Sequence, residues 1–170
     1  MTGYDLKTQR FDASIAHFWP ADQAQIYRTL DKMAEEGWVS SSIEYQEGRP
    51  NRKVYSLLPA GAAELKRWLL TDHPLSVYRE SFLVQLFFAQ TLPNAVIIRL
   101  MEMQLQLHRE RLAAYAQIDV LSMDELRGNR AMSLQRMPLE LGIRIEQTKI
   151  AWLEEFIERV RDLPDAPPTR

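Results

Sequence analysis

Asp22-Gln23-Ala24-Gln25-Ile26-Tyr27-Arg28-Thr29-Leu30-Asp31-Lys32-Met33-Ala34-Glu35-Glu36-Gly37 is the most strongly patterned stretch in the first half of this 170-residue chain. Asp22 is an N-cap residue with Gln25 three positions on, Ile26, Leu30 and Met33 recur at helical spacing, and Gly37 supplies the usual stop. The pattern predicts a helix over residues 23–36 with one side committed to a core. Gln25, Arg28, Thr29 and Lys32 then project from the other side. Gln and Arg are the side chains that make bidentate bonds to adenine and guanine edges, each worth about 1 to 3 kcal/mol of base discrimination. Ala24 is small enough to let the first turn approach a groove, and the free N–H groups of a helix start can meet a phosphate. A solvated amphipathic face has the same composition, so the helix alone leaves both readings open. Tyr27 is open in the same way: it can send its hydroxyl to a phosphate while its ring packs inward, or be a partly buried core tyrosine.

Upstream, Tyr4 to Phe11 reads as a short helix with Leu6 inside, and Lys7 and Arg10 are placed to add backbone contacts. Downstream, Trp38-Val39-Ser40-Ser41-Ser42-Ile43-Glu44-Tyr45 and Lys53-Val54-Tyr55-Ser56-Leu57-Leu58 are β-prone runs of strand length. Between them lies a turn with Gly48 and Pro50, and Arg49, Arg52 and Lys53 cluster at its tip, which suits phosphate contacts. Pro59-Ala60-Gly61 opens a further helix over residues 62–70, with Leu65, Trp68 and Leu69 expected to face inward. Helix, helix, two-stranded hairpin, helix is the order of a winged helix-turn-helix, whose second helix enters the major groove while the hairpin reaches the backbone.

The grammar changes near His73-Pro74, where the residue before proline is biased away from helix. This divides the chain into a winged helix-turn-helix domain over 1–73, a helical domain over 74–163 and a disordered tail over 164–170. The fold class is therefore mostly α with a small β-hairpin. From Pro93 to about Leu121, Ile97, Leu100, Met101, Leu105, Leu112 and Tyr115 form one stripe that Val96, Met103 and Leu107 widen. A last helix over residues 139–163 carries Ile150, Leu153, Ile157 and Val160 beside Ile145, Trp152 and Phe156. Faces this broad need two partners, and burial against a second copy of the chain makes the second domain a homodimerisation module. Met101, Met103, Met132, Met137 and Trp152 fit ordinary core packing; a cavity for a small aromatic effector is the sharper alternative.

Composition narrows the function. Basic and acidic residues number 21 and 23, so nucleic-acid binding has to come from local placement rather than bulk charge. Cysteine is absent, which removes disulfides, thiolate nucleophiles and cysteine-bound metals and suits a reducing cytoplasm. The start has no basic and apolar leader pattern, and no run approaches the length of a membrane span. His17, His73 and His108 are scattered, glycines are isolated, and no nucleophile turn surrounds the serines of residues 40–42. An enzyme, a metal site and a cofactor are not expected.

Several blocks together resemble the PadR family of transcriptional regulators: Gly3-Tyr4-Asp5-Leu6, Phe18-Trp19-Pro20, Gln25-Ile26-Tyr27-Arg28-Thr29-Leu30, Glu36-Gly37, the run Gly48-Arg49-Pro50-Asn51-Arg52-Lys53-Val54-Tyr55-Ser56-Leu57, and Gly61. Arg79-Glu80-Ser81-Phe82-Leu83-Val84 and Phe87-Phe88 extend the likeness into the second half, closest to the branch with a long helical C-terminal domain that includes virulence-gene activators. The resemblance implies a dimer on a roughly two-fold symmetric double-stranded DNA operator, often as a repressor. In that family an apolar helix precedes the Gly-Tyr-Asp motif, so with Met1-Thr2-Gly3 at the start the first helix of the winged domain is expected to be missing. The alternative from another class is a helical interaction protein whose truncated head does not bind DNA.

Overall fold

The computed structural model of the chain describes residues 1–16, 18–48, 51–118 and 121–166. It contains two compact units, Met1–Ser76 and Val77–Arg170.

In the first unit a reciprocal cap starts α1 (Gly3–Leu6): Thr2 Oγ1 accepts the Asp5 N–H and Asp5 Oδ2 accepts the Thr2 N–H, both at 3.0 Å. The helix does not stop at Phe11. It continues as wider, π-helical turns over Lys7–Ile15, closed by the Ala16 N–H donating to the Phe11 carbonyl at 2.8 Å. In α2 (Gln23–Glu35), Asp22 caps by accepting the Gln25 N–H at 2.6 Å, and Gly37 leaves the helix at φ +70°. Ile26 and Leu30 of α2 join Val39 and Tyr55 in the core of this unit.

Strands β1 (Val39–Glu44) and β2 (Arg52–Leu57) pair antiparallel from Val39 opposite Leu57 to Glu44 opposite Arg52. Arg52 thus belongs to the strand that Lys53 was expected to open, rather than to the turn tip. Arg49 and Pro50 lie outside the described residues, as does His17. On the far side of β2, Met1 and Thr2 bridge to it without forming a strand. The Tyr55 N–H donates to the Met1 carbonyl at 2.9 Å, and Thr2 pairs with Val54.

Helix α3 (Pro59–Leu69) starts earlier than expected because proline is favourable in a first turn. Its stripe does not face inward. Leu65, Trp68 and Leu69 are 52%, 51% and 66% exposed. The period was read correctly, since Leu65 and Trp68 lie one and two turns beyond Gly61 on the same side. The close packing is instead at the first turn: Gly61 is the buried residue of α3, pressed against the Trp38 carbonyl.

The second unit comprises α4 (Ser81–Phe87), a 3-10 turn (Ala89–Thr91), α5 (Asn94–Ala116) and α6 (Arg130–Arg161). The pairs Glu102–Arg161, Arg109–Glu154 and Arg111–Glu146 run in opposite order along α5 and α6, which makes these helices antiparallel. Phe82, Met101, Leu105, Leu153, Ile157 and Val160 form the core between α4, α5 and α6. Two boundaries differ from expectation. Helix α5 ends at Ala116, short of Leu121, and α6 begins at Arg130 rather than Leu139, with Asn129 capping the Met132 N–H. Pro138 sits inside α6, where it removes one backbone donor without ending the helix. The outer sides of these helices stay exposed within one chain, at Val84, Phe87 and Phe88 on and after α4, Met103 and Leu107 on α5, and Leu141 and Ile145 on α6.

Candidate nucleic-acid interface

Burial of Ile26 and Leu30, with Met33 half-buried, fixes the rotation of α2 and leaves Gln25, Arg28, Thr29 and Lys32 exposed. The Thr29 hydroxyl turns back along the helix and donates to the Gln25 carbonyl at 2.9 Å. The first turn is occupied by the Asp22 carboxylate, so a phosphate would have to share that end with an anion. Tyr27 is half-buried with its ring over Gly3, where a Cβ would come within 2.8 Å of ring carbons. That glycine is what lets α1 and α2 approach.

Three of the cations expected to meet DNA, Lys7, Arg52 and Lys53, already have carboxylate partners. Lys7 Nζ bonds Asp12 at 2.7 Å on its own helix. The Arg52 guanidinium reaches Asp5 at 3.0 Å. Lys53 Nζ donates to Asp31 Oδ1 at 2.7 Å, and the Tyr55 hydroxyl donates to the same oxygen at 2.9 Å. Asp31 therefore ties β2 to α2, holding the hairpin in a set position beside the exposed face of the helix. The hydrogen bond from Lys53, then that from Tyr55, holds the Asp31 carboxyl below its ordinary range, while the bond to Asp31 raises Lys53. Asp5 is lowered by its bond from Thr2, with Arg52 adding to the effect.

Sequence reasoning missed Asp31, Asp5, Tyr55 and Thr2. The available signal was that Lys53 and Tyr55, two apart on a strand, share a face that a single acid can serve. Because the folded Asp31 carboxyl titrates below its usual 3.8, its contribution to stability is fully present above that pH and is lost as pH falls through the depressed value. Thermal melts of wild type and Asp31→Asn should differ most at neutral pH, with the gap closing progressively in acid. A gap that stays constant down to the lowest pH at which the protein folds would remove Asp31 from this role.

In the second unit, a small recess of about 30 Å³ has apolar walls from Phe82, Trp152 and Leu153 and polar groups from His108 and Lys149. Burial alone would pull Lys149 down, but hydrogen bonds with Glu80 and Tyr78 outweigh it, so the ammonium is raised and stays charged. No helix among the described residues is long and apolar enough to cross a membrane.

Comparison with known proteins matches both units. Residues 1–67 match the Transcriptional regulator PadR-like family and residues 78–161 match the Virulence activator alpha C-term domain. A probable transcriptional regulator of Mycobacterium tuberculosis is 35% identical, the alignment covering 95% of this chain and 90% of that protein. Bacillus subtilis PadR, described as a negative transcriptional regulator, has been solved with operator DNA; that structure superposes with a TM-score of 0.74 at 24% identity and covers 94% of this chain and 91% of its own. A second PadR structure, with p-coumaric acid, gives 0.73 at 22% identity over 95% and 91%. The virulence activator AphA of Vibrio cholerae gives 0.71 at 28% identity over 94% and 89%. With a relative above 30% identity along nearly its whole length, and with a helix pair, a hairpin and a long helical second unit in the matching order, this chain belongs to the PadR-like family of transcriptional regulators.

Proposed function

We propose that the protein is a sequence-specific DNA-binding regulator, acting in the cytoplasm as a homodimer and as a repressor, and that it responds to a small aromatic ligand. The observation that carries the reading is the exposed row of Gln25, Arg28, Thr29 and Lys32 on a helix whose position is fixed by a buried opposite face and by the Asp31 tie to the wing strand. In this reading α2 lies in the major groove, Gln25 and Arg28 read base edges, and Thr29, Lys32, Tyr27, Lys7 and the wing cations Arg49, Arg52 and Lys53 contact the backbone. The likeness to a negative regulator solved with operator DNA supports repression, and the likeness to the same protein solved with p-coumaric acid supports the ligand. The rival reading, an interaction protein without DNA binding, leaves that helix face without a purpose.

Gln25→Ala and Arg28→Ala test it on DNA selected from a random pool by the wild-type protein. Both side chains are exposed, so each substitution should change stability by no more than about 0.5 kcal/mol. Each should weaken preference for the selected sequence over random DNA by about 1 to 3 kcal/mol. Unchanged discrimination in both variants would move base reading off this face. The dimer has its own check. Phe87 and Phe88, 77% and 66% exposed in one chain, belong to an apolar surface broad enough to require a partner, and sedimentation at micromolar concentration should give twice the chain mass. A folded monomer there would end the dimer reading.

A further inference from the structure

Along β1 and one residue beyond it, Val39, Ser41, Ile43 and Tyr45 alternate with Ser40, Ser42 and Glu44. The register places Ser41 opposite Tyr55 and Ile43 opposite Lys53, and directly opposed side chains share a face of a sheet. One face of the hairpin therefore carries Val39, Tyr55, Lys53 and Ile43, with Tyr45 the next step along it. The other carries Ser40, Ser42 and Glu44.

Apolar-in, polar-out alternation is the pattern of a strand with one covered face. Here the cover stops halfway. Val39 and Tyr55 are buried with Ile26 and Leu30 of α2, and the Asp31 carboxylate closes that contact by accepting from Tyr55 and Lys53. Past this tie the apolar pattern goes on without a neighbour to cover it: Ile43 is 58% exposed and Tyr45 82%. Neither belongs to the core of the unit.

What adjoins the strip selects its occupant. Asp31 stands at the junction of the hairpin with α2, and the exposed Arg28 and Lys32 lie one turn before it and directly after it. A partner that meets these cations and also covers Ile43 and Tyr45 carries negative charge and apolar surface side by side. A DNA strand has both, in its phosphates and in the carbon faces of its deoxyriboses.

We propose that Ile43 and Tyr45 form an uncharged docking strip of the wing, seated on deoxyribose of the strand bordering the groove that α2 enters, with the Tyr45 ring as its main contact. This rests on the DNA-binding reading and adds to the cationic contacts one that salt does not weaken.

The full-length chain is titrated by fluorescence anisotropy, at a series of potassium chloride concentrations, against DNA selected from a random pool by the wild-type protein. Tyr45→Ala should bind about tenfold more weakly at every salt concentration, the effect of uncovering roughly half of one aromatic side chain. Its log–log salt slope should match that of wild type, whereas Lys32→Ala should lose about 0.9 from the slope, one phosphate contact. Tyr45→Phe should bind as wild type does, because the ring makes the contact. Neither change at so exposed a position should move the thermal melt. Wild-type affinity in Tyr45→Ala overturns the strip and leaves base reading by Gln25 and Arg28 standing. A slope reduced as in Lys32→Ala, or a Tyr45→Phe variant as weak as Tyr45→Ala, overturns the sugar contact in favour of a phosphate one. A sedimenting mass that falls in Tyr45→Ala gives the strip to a second copy of the chain and refutes it as a DNA contact. If wild type selects no DNA at all, the strip and the DNA-binding reading fall together.

Discussion

His108→Leu should lower the stability of the second unit by about 1 to 3 kcal/mol, the cost of leaving a buried hydrogen-bonding group without its close partner. Glu146 is 3% exposed. Its Oε2 meets His108 Nδ1 at 2.5 Å, and its Oε1 meets the Arg111 guanidinium at 3.4 Å. Leucine fills much of the space of the imidazole, so packing loss is small and the penalty comes from a carboxyl that keeps its burial and loses its close partner. The double variant His108→Leu with Glu146→Leu should recover most of the loss, because a well-packed apolar pair replaces a buried polar one at little net cost. Urea unfolding of the three proteins decides it. Equal stability of His108→Leu and wild type would mean that Glu146 is satisfied without the histidine, and failure of the double variant to recover would mean that the single loss was packing after all.

Gly61→Ala is the second large effect, expected to cost the winged unit about 3 kcal/mol or more. Alanine gains roughly 1 kcal/mol over glycine in a helix interior, so propensity alone predicts a stabilised α3. The contact decides the sign. A Cβ at Gly61 would lie 2.2 Å from the Trp38 carbonyl oxygen and 2.9 Å from Leu57 Cδ1. The oxygen is backbone and already accepts from the Leu58 N–H at 2.9 Å, so it cannot swing aside. Relief requires α3 to lift from the sheet, and overpacking of this kind costs 1 to 3 kcal/mol and occasionally more. Circular dichroism melts should show an early transition for the first unit. A variant melting at or above wild type would mean that α3 shifts freely and that its first turn does not anchor it.

The parts of this molecule that could be read from sequence are those encoded locally. The Asp22 cap, the Ile26 and Leu30 stripe and the Gly37 stop all act within one helix, and they placed α2 and the exposed set of Gln25, Arg28, Thr29 and Lys32. Contacts between distant segments were not legible. The bonds joining Asp31 to Lys53 and Tyr55 span 22 and 24 residues, and the pairing of Met1 with Tyr55 spans 54; each depends on a strand register that periodicity does not specify. The inward stripe of α3 failed for a related reason: a helical period shows which residues share a side but not whether anything covers it. Pro138 shows the converse, a local stop signal overridden by the packing of a 32-residue helix. Which base each exposed side chain meets is a property of the DNA as much as of the chain.

The pairing of Asp31 with Lys53 and of Asp5 with Arg52 also bears on how such a regulator finds its target. Affinity for arbitrary DNA comes almost wholly from cations on phosphates, and here those two wing cations are already neutralised, on a chain whose net charge is −2. Any phosphate approaching β2 must compete with a carboxylate already in place. Random sequence offers no base contacts to offset that competition, whereas the correct groove does. In the proposed mode of DNA binding, the wing acids would therefore act as a filter on residence time, shortening stays on the many wrong sites and leaving more of the protein free to meet the right one.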